Sequence, residues 1–144
     1  MNTADEYYIS CDKALLNGHL IHDYLTQSCW AAGISRAVVE RAIEHSLCFG
    51  VYGHSGQVGF ARVITDQATF AYLADVFILE AHRGKGLSKR LMTTVSAHPS
   101  LQGLRRFILA TRDAHGLYKQ FGFTEVAHPS RMLERFRPDA YKSL

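Results

Sequence analysis

The amino-acid sequence predicts a mixed α/β fold in which a central, mostly antiparallel sheet is flanked by helices. Two amphipathic helical patterns come first, and three strand-like segments joined by short turns follow them. The second half alternates glycine-bearing loops, helices and apolar segments. Three successive strands with tight connections form an antiparallel meander, whereas a short, wholly apolar strand suits a buried parallel position. No linker-like stretch divides the 144 residues, so one domain over residues 1–144 is expected.

The first third predicts two helices. Residues 12–29 carry apolar side chains at helical spacing until a small-residue stretch at 31–33 interrupts the pattern. Ser35 is a suitable N-cap for a second helix that extends to His45.

The middle of the chain predicts a meander of strands at residues 48–52, 57–65 and 70–79, with a hairpin turn at 53–56. Strict alternation along the second strand would place Val58, Phe60, Arg62 and Ile64 on one face. Further on, the pattern predicts a helix at 87–97, a buried parallel strand at 107–110 and a short helix capped by Asp113. Residues 123–126 and 132–136 are the last strand candidates.

Composition and charge argue against several classes of function. No stretch approaches the roughly 20 apolar residues that span a bilayer, and the polar first ten residues lack the layout of a secretory signal, so we expect a cytoplasmic protein with no membrane partner. Three cysteines without a CxxC pair and eight histidines without an HExxH spacing predict neither a disulfide framework nor a metal site. The net charge of +3 suits an anionic ligand but is too small to indicate nucleic acid.

The most informative segment is residues 76–88, where a strand enters a glycine turn that leads directly into a helix. A helix N-terminus receives phosphate readily, because its first N–H groups are unpaired and carry partial positive charge. Gly84 and Gly86 allow close backbone approach, and Arg83, Lys85 and Lys89 would add charge around a pyrophosphate. The spacing of a P-loop or a Rossmann fingerprint is not met. Taken alone, the segment equally suits a basic, solvated turn that caps a helix.

A second pattern lies about thirty residues downstream, where Ala114, Leu117 and Tyr118 on a short helix precede Gly122-Phe123. Together with Arg83-Gly84-Lys85-Gly86-Leu87-Ser88, it resembles the GNAT superfamily of N-acetyltransferases. The family's cofactor loop reads (Gln/Arg)-x-x-Gly-x-(Gly/Ala), which is met except at Ser88, and its downstream pattern has asparagine where Thr111 stands. The resemblance extends from about Gln57 to Phe123, and the first two helices agree only in kind.

The resemblance implies an enzyme that binds acetyl-CoA and passes its acetyl group directly to an amine. The backbone of Phe77 and Ile78 would hold the pantetheine arm, and an N–H near Ile78 would stabilise the developing oxyanion. The loop of residues 83–88 would hold the pyrophosphate through Arg83, Gly84, Lys85, Gly86, Leu87 and Ser88. Tyr118 would protonate the departing thiolate, although it also suits a core position on the apolar side of its helix.

The residue that takes the amine's proton is harder to identify. Asp75 lies in an otherwise apolar strand, where a carboxylate is costly unless it is paired, so it is a candidate general base; an ion pair with Arg62 is the favoured alternative. Glu80, His115 or a water chain are weaker candidates, and a cysteine nucleophile lacks the residues that would activate it.

The sequence favours a small amine with an apolar or aromatic body as the acceptor. The resemblance implies an acceptor cleft walled by the first two helices and the hairpin strands. Aromatic side chains are frequent in those segments, and Trp30 is expected to line the cleft. A lysine-rich peptide would instead require many carboxylates. Two other functions stay open at this point: a non-catalytic, acyl-CoA-binding sensor domain, and a nucleic-acid binder that uses the basic loop. A homodimer is also possible.

Overall fold

The computed structural model of the protein describes residues 6–142 and contains one five-stranded sheet with helices on both faces. The strands lie in chain order, β1 (Tyr8–Ser10), β2 (Leu47–Gly53), β3 (Gly56–Thr65), β4 (Phe70–Ile78) and β5 (Arg106–Leu109). Neighbours from β1 to β4 are antiparallel, and β5 is parallel to β4. The predicted mostly antiparallel, mixed sheet flanked by helices is confirmed.

Within residues 6–142, four α-helices accompany the sheet, α1 (Gly18–Thr26), α2 (Arg36–Glu44), α3 (Leu87–Ala97) and α4 (His115–Lys119). Ser35 caps α2 as predicted, since its hydroxyl accepts the N–H of Val38. The first helix is shorter than the predicted 12–29, because the side chain of Asn17 accepts the N–H of Leu20 and starts α1 there. Among the described residues, no helix is long and apolar enough to cross a membrane.

The sheet separates two hydrophobic clusters. The cluster on one face lies beneath α3 and α4 and includes Phe49, Val63, Leu73 and Leu91. The cluster on the other face lies beneath α1 and α2 and includes Ile21, Leu25, Val39, Phe60 and Phe77. Because both faces are covered, the central strands are buried along most of their length.

Two bulges correct the predicted alternation of the strands. In β3, Val58 is an extra residue between the pairs Val51–Gly59 and Tyr52–Gln57, so it faces the α3 side while Phe60 faces the α1 side. In β4, Ala74 pairs with Arg62 and Phe77 pairs with Phe60. Two residues of β4 therefore lie opposite the single residue of β3 between these pairs. The expected common face of Val58 and Phe60 is therefore wrong.

The beginning and end of the described chain also differ from expectation. β1 has three residues, too few to leave a periodic pattern in the sequence. Residues 123–126 and 132–136 are not strands, because no neighbouring segment in the described chain forms a ladder with them. The short helix α4 begins after Ala114, whose N–H donates to the Thr111 hydroxyl, and Asp113 does not cap it.

Tyr52 supplies a test of the core. Among residues 6–142, the Tyr52 hydroxyl is the buried side-chain polar atom that has no hydrogen-bond partner. Burial, and then the charge of Tyr8, raises the pKa of this hydroxyl to about 12. The pKa of this hydroxyl is higher in the folded protein than its ordinary value near 10 in the unfolded chain. Its contribution to the free energy of unfolding is therefore largest below pH 10 and is lost as the pH rises through the raised pKa.

We therefore expect Tyr52→Phe to melt at the same temperature as the parent or higher at pH 8, because an unpaired buried hydroxyl costs about 1–3 kcal/mol. The variant should also lose less stability than the parent between pH 10 and 12. The matched control is Tyr7→Phe, because the Tyr7 hydroxyl is bonded to His82 and Lys85 and its removal should lower the melting temperature. Thermal unfolding by circular dichroism measures both, and a destabilised Tyr52→Phe would contradict the assignment.

Candidate active site

The open edge of β4 is the first component of the site. The ladder between β4 and β5 ends at the pair Leu73–Leu109, whereas β4 continues to Ile78 without a strand partner on that side within the described chain. The N–H of Leu79 donates to Val58 on the β3 side, so alternation directs the Ile78 backbone to the open edge. An extended ligand can add to such an edge through main-chain hydrogen bonds.

The glycine turn lies directly beyond this edge. Gly84 and Gly86 have φ values of 77° and 76°, the left-handed region that glycine adopts without strain. Gly86 is the N-cap of α3 and offers no side chain to the first N–H groups of that helix. A Cβ at either glycine would meet nothing within 4 Å, so the backbone is open to solvent on this side. These residues fit a pyrophosphate group.

The side chains of the loop have different positions. The Arg83 guanidinium donates to the Ile78 carbonyl at 2.9 Å and to the Tyr24 hydroxyl at 3.1 Å, which ties the end of β4 to α1. Lys85 donates to the Tyr7 hydroxyl at 3.1 Å. The side chain of Leu87 lies in the core, Ser88 is half-buried and Lys89 is exposed. Arg83 and Lys85 therefore shape the loop and leave the turn at Gly84 and Gly86 accessible.

Asp75 occupies the bulge of β4 and adopts a φ of 53°. One carboxylate oxygen accepts the Arg62 Nε–H at 2.8 Å, and the other accepts the Trp30 indole N–H at 2.9 Å. Arg62 also donates to the Ser46 hydroxyl. The predicted ion pair is confirmed. Strict alternation along β4 would place Asp75 on the same face as Leu73, but the bulge turns Asp75 to the α1 and α2 side.

A cleft of about 510 Å³ lies between α1 and the end of β4. Trp30, which is 50% exposed, forms one wall, and Tyr24 forms another while stacking on Phe77 with ring centroids 3.9 Å apart. Asp23 also lines the cleft, and its carboxylate accepts a hydrogen bond from Gln27. The predicted position of Trp30 beside a cleft is therefore observed. Asp23 was not singled out from the sequence, although its i,i+4 spacing to Gln27 on α1 is a signal that could have found it.

Tyr118 lies on the other side of the sheet from Asp75. It is 9% exposed, packs edge-on against Phe123 and lines a cavity of about 400 Å³ together with Leu109 and Thr111. Burial, and then the negative charge of Asp113, raises the pKa of its hydroxyl. The phenol therefore stays protonated at neutral pH, as a proton donor must.

Thiol chemistry and metal binding concern other residues. The Cys29 side chain is exposed at the cleft beside α1, whereas Cys48 is buried. Burial raises the pKa of the Cys48 thiol to about 11, which keeps it protonated and unreactive. No group of three or more histidine, cysteine or acidic side chains within residues 6–142 is arranged to hold a metal ion.

Comparison with known proteins decides the family. The profile described as the acetyltransferase (GNAT) domain matches residues 44–125, which contain the meander, the glycine turn and α4. This chain belongs to the GNAT family. A protein of Gibberella zeae named as a candidate acetyltransferase is 32% identical to it over 81% of this chain and 77% of that protein.

Solved structures agree with this assignment. A GNAT-family protein of Xanthomonas campestris pv. campestris, described as a candidate acetyltransferase, superposes with a TM-score of 0.93 at 56% identity and covers 95% of this chain and 97% of its own. N-acetylglutamate synthase of Neisseria gonorrhoeae has a TM-score of 0.65 at 14% identity over 87% of this chain and 31% of its own. That structure contains coenzyme A and N-acetyl-glutamate, and at this identity the likeness shows a shared fold alone.

The glycine turn of this GNAT protein gives a binding prediction. Gly86→Val places a branched side chain in the open space before α3, so it should weaken acetyl-CoA binding by at least tenfold, which corresponds to about 1.4 kcal/mol. Gly103→Val is the matched control, because Gly103 has a φ of 72°, equally open surroundings and a position in another loop.

Isothermal titration calorimetry of both variants with acetyl-CoA separates loss of binding from backbone strain. Valine is strained at a positive φ in either loop, so both variants should lose similar amounts of stability. Equal affinities in the two variants would contradict the assignment of the turn.

Proposed function

We propose that this protein is an N-acetyltransferase that transfers the acetyl group of acetyl-CoA to the primary amine of a small molecule by direct attack. The observation that carries the proposal is the continuity between the open edge of β4 and the uncapped glycine turn of α3. The open edge of β4 is suited to an amide-bearing arm, and the glycine turn is suited to a pyrophosphate. Membership of the GNAT family supports the same function.

The donor side of the site rests on backbone groups. The N–H groups that open α3, at Leu87 and Ser88, would bind the phosphates, and the open edge at Ile78 would align the pantetheine arm. The same alternation directs the Phe77 backbone to β3. Acetyl-CoA supplies a thioester whose carbonyl carbon accepts the amine. The Ile78 N–H, directed to the open edge, would stabilise negative charge on that carbonyl oxygen. Arg83 holds the Ile78 carbonyl and so restrains the same peptide segment.

The acid and the acceptor site would approach the open edge from opposite faces of the sheet. Tyr118 belongs to the cluster beneath α3 and α4, and the Asp75–Trp30 pair lies on the α1 and α2 side. A proton could thus be delivered to the departing thiolate from one face while the amine enters from the other. This arrangement keeps the two proton transfers apart.

Asp75 suits a positioning role better than that of a general base. Both of its oxygens already accept hydrogen bonds, from the Arg62 guanidinium and the Trp30 indole, and an amine would have to displace one of them. The pair instead holds the Trp30 ring at the mouth of the cleft. The amine's proton would then leave through water in the open cleft.

The cleft beside α1 favours an amine acceptor with a flat or apolar body. Two aromatic side chains, Tyr24 and Trp30, lie 6.3 Å apart between ring centroids. Aromatic faces attract both apolar rings and ammonium groups. Asp23 is the one carboxylate among the residues described as lining this cleft, which is enough for one ammonium group but not for a polycation.

Removal of the proposed acid should affect turnover and not binding. Tyr118→Phe is expected to lower kcat on the order of 100-fold to 10,000-fold while the Kd for acetyl-CoA stays the same. Because the pKa of Tyr118 is raised above its ordinary value of 10, the parent should stay active until the pH exceeds 10. The exposed Tyr8→Phe is the control, and steady-state release of free thiol is the measurement. Parental turnover by Tyr118→Phe would make this residue a packing tyrosine.

The acceptor class is tested by a screen of purified enzyme and by two variants of Trp30. Aryl-alkylamines and amino acids should be acetylated in preference to lysine-rich peptides and polyamines. Trp30→Ala should raise the KM for the preferred amine about fivefold to tenfold, corresponding to roughly 1 kcal/mol of lost aromatic contact. Trp30→Phe keeps an aromatic face and loses the bond to Asp75, so it should retain most of the affinity.

The same assays distinguish the proposal from its alternatives. A preference for peptides or polyamines would contradict the acceptor class. Binding of acetyl-CoA without thiol release, with every acceptor in the screen, would favour a non-catalytic acyl-CoA-binding domain.

A further inference from the structure

Tyr7, directly before β1, reaches from the N-terminal segment to the glycine turn. Its ring packs in the core beneath α3, and only 7% of the residue is exposed. A Cβ at Gly53 would lie 3.1 Å from this ring, so the lack of a side chain at the end of β2 makes room for it. The hydroxyl at the end of the ring lies beside His82 and Lys85. Core packing therefore determines where this hydroxyl meets the turn.

Two hydrogen bonds give the Tyr7 hydroxyl a defined direction. The Lys85 ammonium lies 3.1 Å from the hydroxyl oxygen and can only donate to it. The Nδ1 atom of His82 lies 2.8 Å from the same oxygen. The phenol proton is assigned to this nitrogen, and His82 to its neutral Nε2–H tautomer, because an ammonium has no lone pair that could accept the proton. The hydrogen bonds therefore run from Lys85 through Tyr7 to His82.

The ring and the backbone of Tyr7 contact the same part of the chain. The His82 ring stands edge-on to the Tyr7 ring, with centroids 5.7 Å apart. The Lys85 ammonium lies 5.6 Å from the centroid of the Tyr7 ring, within the range of a cation–π interaction. The Tyr7 carbonyl accepts a hydrogen bond from Arg90 of α3 at 3.1 Å. Tyr7 thus contacts a residue before the turn, a residue within it and the helix that follows it.

These contacts prepare Lys85 for an anionic ligand. Lys85 is exposed and stands between Gly84 and Gly86, the two residues that leave the backbone of the turn open. An unrestrained lysine side chain samples many rotamers, and a ligand that binds it must first order it. Tyr7 accepts one of the three ammonium N–H groups, and the other two can donate to phosphate oxygens. A side chain that is already held loses less conformational entropy on binding.

We propose that Tyr7 is a positioning residue for the acetyl donor, because it holds the Lys85 ammonium beside the glycine turn where the pyrophosphate binds. This inference rests on the proposed function, in which acetyl-CoA occupies the turn. Tyr7 lies in the cluster beneath α3, whereas the acceptor cleft lies on the α1 side of the sheet. Tyr7 therefore acts on the affinity for the donor and leaves the chemical step and the binding of the acceptor unchanged.

Isothermal titration calorimetry with coenzyme A tests this role without turnover, at a temperature below the melting transition of every variant. Tyr7→Phe should raise the Kd about threefold to tenfold, because one hydrogen bond to a charged group is lost. Lys85→Met, at an exposed position, should raise it by at least as much. Adding Tyr7→Phe to Lys85→Met should then cause little further loss, because the tyrosine acts through the lysine. Tyr8→Phe and Lys13→Met are the matched controls, since both residues are exposed and lie outside the turn.

A donor without the pyrophosphate distinguishes positioning from a general loosening of the fold. With acetyl-CoA, Tyr7→Phe should raise KM and leave kcat unchanged, whereas with S-acetylpantetheine the parent and the variant should have the same kcat/KM. Parental affinity for coenzyme A in Tyr7→Phe or in Lys85→Met, losses that multiply in the double variant, or equal losses with both donors would overturn the inference while the proposed function stands. A parent that does not bind coenzyme A would overturn both.

Discussion

The left-handed backbone of Asp75, in the bulge of β4, is the constraint on which the site depends. A non-glycine residue in this region costs on the order of 1 kcal/mol or more, and aspartate is among the residues that tolerate it best. The ion pair with Arg62 and the hydrogen bond from Trp30 offset that cost. The extra residue also reverses which side chains of β4 face each layer, so Phe77 lies beneath α1 and not beneath α3.

This reversal connects the sheet to the acceptor cleft. With Phe77 on the α1 side, Tyr24 can stack on it, and Arg83 can reach both the Tyr24 hydroxyl and the Ile78 carbonyl. The end of β4 is therefore held against α1 beyond its last pair with β5. The separation of β4 from β5 exposes a strand edge, and the glycine turn continues that edge toward α3. Donor and acceptor elements thus meet at a position defined by one bulge.

The opposite margin of the sheet presents a different physical problem. The apolar strand β5 has a ladder partner on one side alone, and residues 132–136 form no ladder within the described chain. Farther along the chain, Tyr141 lines a small cavity with Trp30 and Asp75. The segment that follows α4 therefore extends from the sheet margin to the neighbourhood of the acceptor cleft.

Features that depend on residues close together in the chain could be predicted from the sequence. The glycine turn, the tyrosine before Gly122-Phe123 and the caps of the helices depend on residues near one another in the chain, and they predicted the family, the fold class, α2 and α3. The ion pair of Asp75 was also predictable, because a carboxylate in an apolar strand needs a partner.

Only the tertiary structure decided the two bulges, the face on which Asp75 lies, the edge position of β5 and the unpaired state of residues 132–136. Strand register and strand pairing depend on hydrogen bonds between segments far apart in the chain. The alternation of side chains along one strand does not show where the paired strand places two residues opposite one, so the sequence did not predict the bulges.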